Sequence, residues 1–360
     1  MEKVCFFSGD ITRDGGTERV SSMIANALAR QGKYQIMFLS LVEQASTPFF
    51  ALASGIERYT LGDRWIHPGP GYLKVLPRLR RFIKQHQIDV IIDIDIVLDV
   101  LSIPATRGLK TKVISWEHFD FEFEMKSLYR RCILKYSVRR TDYVITLTES
   151  GKNAYMGKLG RSKEIATIYN PMQELSHVGE TEKEKCLITV GHLIQLKGMD
   201  MLAEVACHVL RKNPDWKWLV VGEGEERAFL EEFIEKNRLG EQLILIGRAA
   251  DVNIYLKKAQ IYVMTSRTEG LSMCLLEAKA FHLPSVSFNI PGPSEIIEDG
   301  INGYLVKAFD REDMAQKLDL LMRDDELRKQ FSAHAQDNME KFQMENILKN
   351  WNTVLELLLN

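Results

Sequence analysis

Cysteine is scarce and scattered in this chain of 360 residues. Its five cysteines form no CxxC pair and no cluster with histidine; they are Cys5, Cys132, Cys186, Cys207 and Cys274. An odd and dispersed set predicts neither a disulfide framework nor a zinc site, so the composition fits a reducing compartment.

Long apolar runs and an excess of charge are missing as well. The first apolar run, Val4 to Phe7, stops at Ser8-Gly9-Asp10, far short of a signal-peptide core, and no run approaches the length of a membrane span. The formal net charge is only −2, which gives no general attraction to nucleic acid. We therefore expect a cytoplasmic protein, free or at the inner face of the cell membrane, without a nucleic-acid partner.

What the chain does have is the composition of a globular protein, with 45% apolar and 27% charged residues. Its length predicts about two domains. Short β-rich runs alternate with helical patterns, which favours parallel sheets covered by helices. The predicted strands are Val4 to Ser8, Tyr34 to Ser40, Val90 to Ile94, Lys112 to Trp116, Tyr143 to Thr146, Ile165 to Tyr169, Cys186 to Val190, Lys217 to Val221, Leu243 to Ile246, Ile261 to Met264 and Ser285 to Phe288.

Residues 173–185 lose the apolar period and gain charge, which is typical of a linker. We expect an α/β protein with two doubly wound, Rossmann-like domains, residues 1–172 and 186–345, that face a central cleft. A ligand would bind there, at the carboxyl ends of the strands. The apolar terminal segment, about residues 346–360, is expected to form a helix that can pack back on the first domain.

The segment from Glu269 to Glu277 carries the strongest chemical signal. Ser272 is a good N-cap for a helix that follows a strand. The amides of Gly270, Leu271 and Ser272 would then point out of the helix N-terminus, where a phosphate can bind. The two flanking carboxylates can accept hydrogen bonds from the hydroxyls of a sugar and of a ribose. A solvated helix face with a capped start is the alternative.

This segment resembles the EX7E signature of the retaining glycosyltransferases of family 4, which have the GT-B fold. Other segments that resemble the family follow in its usual order and cover most of the chain: Gly15-Gly16-Thr-Glu-Arg19, Gly191-His-Leu-Ile-Gln-Leu-Lys197-Gly198, Val220-Val-Gly-Glu-Gly224 and Pro291 to Gly303. Each segment is weak alone, but the combination in this order is specific.

The resemblance implies roles for individual residues. Glu277 would bind the nucleotide ribose, Glu269 the hydroxyls of the transferred sugar, and Lys197 the diphosphate leaving group. The backbone near Arg248 would meet the base. His192 stands where the family usually has an arginine, and a neutral imidazole supplies less charge to the diphosphate. Either Lys197 carries more of that task or another cation helps.

Two features of the first half gain a role from the same resemblance. Gly15 and Gly16 would lie beside the diphosphate and the acceptor, and an ordinary turn between strand and helix is the alternative. His118 follows a predicted strand and would hydrogen-bond to the donor sugar, and a purely structural histidine is the alternative.

Asp93-Ile-Asp95 matches the DxD metal motif of the other large glycosyltransferase fold, in which carboxylates hold a divalent ion. That fold would leave the EX7E segment and the second α/β half unexplained. We therefore expect no metal site and no metal requirement, with a nucleotide diphosphate sugar as the co-substrate.

Two basic clusters lie in the first half of the chain, where residues 1–180 hold 25 Lys and Arg against 20 Asp and Glu. Two explanations remain open: the clusters are solvated helix faces, or they contact an anionic membrane surface. The clusters comprise Lys74, Arg78, Arg80, Arg81 and Lys84, and Lys126, Arg130, Arg131, Lys135, Arg139 and Arg140.

Together these features predict a retaining glycosyltransferase that moves a sugar, with a UDP-sugar favoured as donor, to a hydroxyl of a glycan or lipid-linked saccharide. Capsule, exopolysaccharide or lipopolysaccharide synthesis would use such a reaction. The expected catalytic residues are His118, Lys197 and Glu269. The alternatives are a nucleotide-sugar epimerase on the same fold and a two-lobed solute-binding protein without enzymatic activity.

Overall fold

The computed structural model describes residues 1–62, 70–161, 164–173 and 183–360. They divide into two compact units, Met1–Pro171 together with Met344–Asn360, and Met172–Gln343. Most of the expected linker, residues 174–182, lies outside the described residues. Each unit is described by itself below.

In the N-terminal unit, the described residues form one sheet of seven parallel strands: β1 (Lys3–Ser8), β2 (Gln35–Val42), β3 (Glu57–Gly62), β4 (Val90–Ile94), β5 (Lys112–Trp116), β6 (Tyr143–Thr146) and β7 (Ile165–Thr167). The strand order is β3-β2-β1-β4-β5-β6-β7. The order reverses between β1 and β4, which is the switch point of a doubly wound sheet and the usual place for a ligand. The helices are α1 (Gly16–Gln31), α2 (Pro70–His86), α3 (Asp99–Thr106), α4 (Phe121–Lys126), α5 (Leu128–Ser137) and α6 (Glu149–Leu159).

In the C-terminal unit, the described residues form a second parallel sheet: β8 (Cys186–Val190), β9 (Lys217–Val221), β10 (Leu243–Gly247), β11 (Ile261–Met264), β12 (Ser285–Phe288) and β13 (Gly303–Val306). The order β10-β9-β8-β11-β12-β13 places its switch point between β8 and β11. The helices are α7 (Met199–Lys212), α8 (Arg227–Asn237), α9 (Asn253–Lys258), α10 (Met273–Ala280), α11 (Pro293–Ile296), α12 (Arg311–Arg323) and α13 (Asp325–Ala333).

The terminal helix α14 (Met344–Leu359) belongs to the N-terminal unit. Its buried Trp351 lies with its ring centroid 4.9 Å from that of Trp116 on β5 and 6.3 Å from that of Phe6 on β1. Burial of these large rings holds the helix on the first unit, because each fully buried large apolar side chain contributes about 1.5–3 kcal/mol.

The expected α/β class with two doubly wound sheets is confirmed, and seven predicted strands have the predicted bounds. Two strands of the structure, β3 and β13, were not predicted. The predicted strand Ile165 to Tyr169 ends earlier, at Thr167. Within the described part of the chain, no helix has the length and apolar character needed to cross a bilayer.

Candidate active site

Lys197 and Glu269 meet at the switch point of the C-terminal sheet. The loop after β8 leads to a 3₁₀ turn, Gln195–Lys197, and the loop after the neighbouring β11 leads to Glu269. The Nζ atom of Lys197 lies 2.6 Å from Oε1 of Glu269. The same oxygen accepts a hydrogen bond of 2.6 Å from the hydroxyl of Ser266. A cation and a carboxylate are therefore paired at the carboxyl ends of two adjacent strands.

The pair is only partly shielded from water, since the side chain of Glu269 is 8% exposed and that of Lys197 is 28% exposed. Burial disfavours the charged form of Lys197, but the attraction of Glu269 outweighs it and holds the pKa of Lys197 above its ordinary value. Lys197 is therefore a cation at neutral pH and is available to pair with another anion in place of Glu269.

Close backbone contact fixes the position of Lys197. The next residue, Gly198, has a φ of +68°, and a Cβ atom there would lie 2.1 Å from the carbonyl oxygen of Thr265. The Thr265 hydroxyl donates a 3.0 Å hydrogen bond to the Lys197 carbonyl. Only glycine permits this approach, which joins the loop after β8 to the loop after β11.

A second set of contacts joins the same two loops, and it was not predicted from the sequence. Arg267 forms a bidentate ion pair with Asp200 on α7, with N–O distances of 2.8 and 2.6 Å. Its Nη1 atom also donates a hydrogen bond to the carbonyl of Gln195. The Arg267 amide donates to the Leu196 carbonyl at 2.8 Å. Arg267 thus holds both residues that precede Lys197. An Arg two residues before Glu269 is the signal that could have suggested it.

The N-terminus of α10 lies directly after Glu269. The Ser272 hydroxyl accepts a hydrogen bond from the Leu275 amide, which confirms Ser272 as the N-cap. Gly292 has a φ of +84°, and a Cβ atom there would lie 2.3 Å from the Gly270 carbonyl oxygen. The segment from Gly270 through Leu271 is therefore backed by the backbone of a second loop, and both Leu271 and Ser272 are buried.

Glu277 lies in the second turn of α10 and is only 5% exposed. Beneath it, Tyr262 of β11 is fully buried, and its hydroxyl has no hydrogen-bond partner among the described residues. Burial first, and then Cys274, Glu269 and Glu277, raise the pKa of Tyr262 well above its ordinary value. A small pocket lined by Lys197, Glu269, Ser266 and Tyr262, among others, opens between β8 and β11.

The other two expected donor residues of this unit lie at strand ends and are exposed. His192 follows β8, and its carbonyl accepts a hydrogen bond from the Ile194 amide. Arg248 follows β10, two strands away from β8 in the sheet. The hydrogen bonds that join Lys197, Glu269 and Ser266 involve neither of them.

In the N-terminal unit, Gly15 and Gly16 begin α1 after β1. Gly15 is the N-cap without a side-chain hydrogen bond, and a Cβ atom there would lie 2.4 Å from Oε2 of Glu18. Among the residues that the structure describes, none has an atom within 4 Å of a Cβ built on Gly16. Glu18 is buried and pairs with Arg13. The open space at Gly16 leaves the helix N-terminus accessible.

His118 follows β5 and is 8% exposed. Its ring centroid lies 4.4 Å from that of Trp116, and its Nε2 atom has no hydrogen-bond partner among the described residues. Burial lowers the pKa of His118 to about 3, so the imidazole is neutral at physiological pH. A buried polar atom without a partner is costly unless a ligand or water satisfies it.

Two further residues fix the loop that carries His118, and sequence reasoning missed both. Glu117 is buried; one oxygen accepts a 3.0 Å hydrogen bond from the Phe119 amide, and the other accepts a 3.1 Å hydrogen bond from the Tyr155 hydroxyl of α6. Burial, and then the charge of Glu124, raise the pKa of Glu117 well above its ordinary value. A carboxyl directly before a candidate histidine was the available signal.

The carboxyl groups of Asp93 and Asp95 point to different partners. Asp93 is fully buried and accepts a 2.6 Å hydrogen bond from the Ser102 hydroxyl, and Asp95 lies 3.1 Å from Arg130. Burial, and then the neighbouring Asp99, raise the pKa of Asp93 well above its ordinary value. Among the described residues there is no group of three or more His, Cys, Asp or Glu side chains that could hold a metal ion.

Some members of each basic cluster form hydrogen bonds or ion pairs within the protein. Arg80 donates to the carbonyls of Ala105 and Arg107, and Arg130 pairs with Asp95 and Glu124. The exposed members are Lys74, Arg78, Arg81, Lys84, Lys126, Lys135, Arg139 and Arg140.

Comparison with known families covers nearly the whole chain. The model described as Glycosyltransferase Family 4 matches residues 14–173, and the model described as Glycosyl transferases group 1 matches residues 173–338. An uncharacterized glycosyltransferase of Haemophilus influenzae is 34% identical over 99% of this chain and 100% of its own length. This chain belongs to the glycosyltransferases of family 4.

Two further proteins are similar over the full length of this family 4 chain. An α-1,4-N-acetyl-D-galactosaminyltransferase of Campylobacter jejuni, whose name includes a saccharide on PP-undecaprenol, is 27% identical over 98% of this chain and 97% of its own. A solved structure of a TarM mutant of S. aureus, in complex with fondaparinux, alpha-GlcNAc-glycerol and UDP, has a TM-score of 0.82 at 16% identity and covers 98% of this chain and 99% of that one. This likeness agrees with the GT-B fold.

Proposed function

We propose that this protein is a retaining glycosyltransferase that moves a sugar from a UDP-sugar to a hydroxyl of a glycan or lipid-linked saccharide. The contact between Lys197 and Glu269 carries the proposal. It places a cation suited to a diphosphate beside a carboxylate suited to sugar hydroxyls, at the switch point where doubly wound sheets bind ligands. The UDP in the TarM complex supports a uridine nucleotide as donor.

Stabilisation of the leaving group is the main electrostatic task. As the bond between the sugar and the diphosphate breaks, negative charge grows on the departing phosphate. In the proposed reaction Lys197 exchanges Glu269 for that phosphate, and the amides of Gly270, Leu271 and Ser272 at the N-terminus of α10 add partial positive charge. These groups supply the charge that a metal ion would otherwise provide, so no metal is required. His192 replaces the usual arginine, which leaves Lys197 with the larger share.

The remaining site residues bind the donor. Glu277, buried in α10, accepts hydrogen bonds from the ribose hydroxyls, and the backbone at Arg248 meets the base. Once Lys197 pairs with the phosphate, Glu269 accepts hydrogen bonds from the hydroxyls of the transferred sugar. In the N-terminal unit, the neutral imidazole of His118 has an unsatisfied Nε2 that can bond to the donor sugar, and the diphosphate would lie beside Gly15 and Gly16, where the space around Gly16 is open.

The product is proposed to enter a bacterial cell-surface polysaccharide, such as capsule, exopolysaccharide or lipopolysaccharide. The C. jejuni relative, named for a saccharide on PP-undecaprenol, supports a lipid-linked acceptor and therefore a peripheral contact with the inner face of the membrane. The exposed cations of the two clusters would make that contact, at about 1 kcal/mol for each residue near the surface.

Ligand binding and product analysis test the proposal. The full chain is titrated with UDP and GDP in a calorimeter and then incubated with UDP-glucose, UDP-galactose, UDP-N-acetylglucosamine or UDP-N-acetylgalactosamine, with the methyl glycosides of the same four sugars as acceptors. We expect UDP to bind and the NMR anomeric coupling of the product to match that of the donor. Inverted coupling would exclude retention, and a changed sugar without any transfer product would favour the epimerase. Failure to bind any nucleotide would refute the function as a whole.

Membrane contact has its own test. The chain is floated with vesicles of phosphatidylglycerol or of phosphatidylcholine at low and high salt. Because charge is screened within about 8 Å at physiological salt, binding should require the anionic lipid and weaken with salt. Replacing Arg78 and Arg81 by serine should reduce it. If the wild-type protein does not bind anionic vesicles at low salt, the clusters are solvated helix faces.

A further inference from the structure

Asp95, the second carboxylate of the DxD pattern, has an unusual backbone conformation at the switch point of the N-terminal sheet. Its φ is +94° and its ψ is 130°. Residues other than glycine rarely adopt this region, and such residues cluster at functional sites. The Asp95 amide donates to the Trp116 carbonyl at 3.2 Å, so the strained residue is tied to β5, the strand that leads to His118.

Hydrogen bonds hold the Asp95 carboxylate in place but do not occupy all of its acceptor positions. One oxygen accepts a 3.1 Å hydrogen bond from the Val97 amide, and the other accepts a 3.1 Å hydrogen bond from Nη2 of Arg130 on α5. A carboxylate has about four acceptor positions, which leaves capacity for hydroxyl groups. The side chains of Asp95 and Arg130 are 19% and 22% exposed, so both reach the surface.

Aromatic side chains lie near this ion pair. The Arg130 guanidinium lies 4.9 Å from the ring centroid of Phe119, which is 39% exposed, and Tyr129 is 48% exposed. Tyr72 of α2 is close enough for Tyr129 and Asp95 to affect its ionisation: burial first, then Tyr129, then Asp95 raise the pKa of Tyr72 to about 12. Three aromatic side chains and a hydrogen-bonding pair therefore share one patch.

The chemistry of this patch fits a sugar ring. A pyranose presents apolar C–H faces that pack on aromatic rings, and hydroxyls at its edge that bond to carboxylate and guanidinium groups. An anionic lipid or a phosphate would need a positive surface. Here Arg130 faces the two carboxylates of Asp95 and Glu124, and the nearby Arg13 is itself paired with Glu18. The balance of charge therefore favours a neutral saccharide.

We propose that Asp95, Arg130, Tyr72, Tyr129 and Phe119 form a subsite for the acceptor saccharide, a pyranose whose hydroxyls bond to Asp95 and Arg130 while its ring packs on the aromatic side chains. The inference rests on the proposed function and names the substrate class of the N-terminal unit. It also gives the Asp93-Ile-Asp95 pattern a role without a metal, since Asp95 alone faces the ligand.

The test separates acceptor binding from donor binding. Saturation-transfer NMR measures binding of the methyl glycosides of glucose, galactose, N-acetylglucosamine and N-acetylgalactosamine to the full chain in the presence of UDP. The variants are Asp95→Asn and Tyr129→Ala. Matched controls are Asp89→Asn, at the opposite end of β4, and Phe49→Ala, another exposed aromatic residue of the same unit.

We expect wild type and controls to bind at least one glycoside, and the two variants to bind it about tenfold more weakly or worse with unchanged UDP affinity and melting temperature. Absence of glycoside binding by wild type, or equal binding by the variants, would overturn the subsite while UDP binding upholds the donor site. If Tyr129→Ala lost only its binding to phosphatidylglycerol vesicles, the patch would be a lipid contact, and the subsite would again be refuted.

Discussion

Replacing Lys197 by methionine is expected to destabilise the ligand-free protein as well as impair its reaction. The carboxylate of Glu269, 8% exposed, would lose the cation 2.6 Å away and keep the hydrogen bond from the Ser266 hydroxyl. Removal of one member of a fully buried ion pair costs about 3–5 kcal/mol. Because the side chain of Lys197 is 28% exposed, solvent screens the pair and we expect a loss of about 1–3 kcal/mol.

A double-mutant cycle isolates this effect. Glu269→Gln removes the unpaired charge, so Lys197→Met with Glu269→Gln should lose at least about 1 kcal/mol less than the sum of the single variants. Native-state hydrogen exchange of the amides in β8 and β11 measures the opening free energy of the C-terminal unit alone. A coupling below about 0.5 kcal/mol would show that the contact contributes nothing to stability.

The same substitution tests the chemical role. Charge on the diphosphate grows only as the glycosidic bond breaks, so Lys197→Met should lower kcat more than it weakens donor binding. A variant with normal turnover and a raised KM would show that Lys197 only binds the donor.

Three further predictions concern the donor, the metal and pH. Glu277→Ala should weaken UDP binding by about 1.5–3 kcal/mol, and unchanged affinity in a calorimeter would remove Glu277 from the donor site. Transfer should persist in EDTA, and loss of activity that Mg²⁺ or Mn²⁺ restores would contradict this. Burial lowers the pKa of Lys279 from 10.5 to about 7, so between these pH values the unfolded chain is protonated and the folded chain is not. Stability should therefore rise by up to about 1.4 kcal/mol per pH unit, and Lys279→Met should flatten this slope in urea titrations from pH 7 to 10.

The strands differ in how well the sequence predicts them, and burial explains the difference. β4 and β8 are nearly continuous apolar runs, because a central parallel strand is covered on both faces. β3, Glu57–Gly62, is an edge strand with polar residues along most of its length. β13 begins with glycine and follows a turn. β3 therefore lacks the apolar signal on which the prediction depends, and in β13 that signal is only three residues long, Tyr304 to Val306.

The residues of the candidate site also differ in how well the sequence predicts them. Strand ends and the family resemblance direct attention to Lys197, Glu269 and His118, since parallel strands bring their carboxyl ends to one edge. The contacts of Arg267 with Asp200 and of Glu117 with Tyr155 depend on loop geometry and span 67 and 38 residues. Arg267 and Glu117 stand close to candidate site residues in the sequence, but their spacing does not tell which distant partner each one contacts, so only the structure reveals the contacts.

Asp93 and Asp95 show how one pattern divides into two environments. Residues two apart on a strand share a face, so the pattern by itself suggests two carboxylates side by side, although the rest of the chain leads us to expect no metal site. β4 ends at Ile94, and the positive φ of Asp95 turns its side chain toward Arg130. Asp93 remains in the core beside Ser102 and Asp99, and its raised pKa favours the protonated form, which is a poor metal ligand. Burial raises the pKa of both acids, but their surroundings differ: Asp93 is buried in the core beside Ser102, and Asp95 reaches the surface beside Arg130.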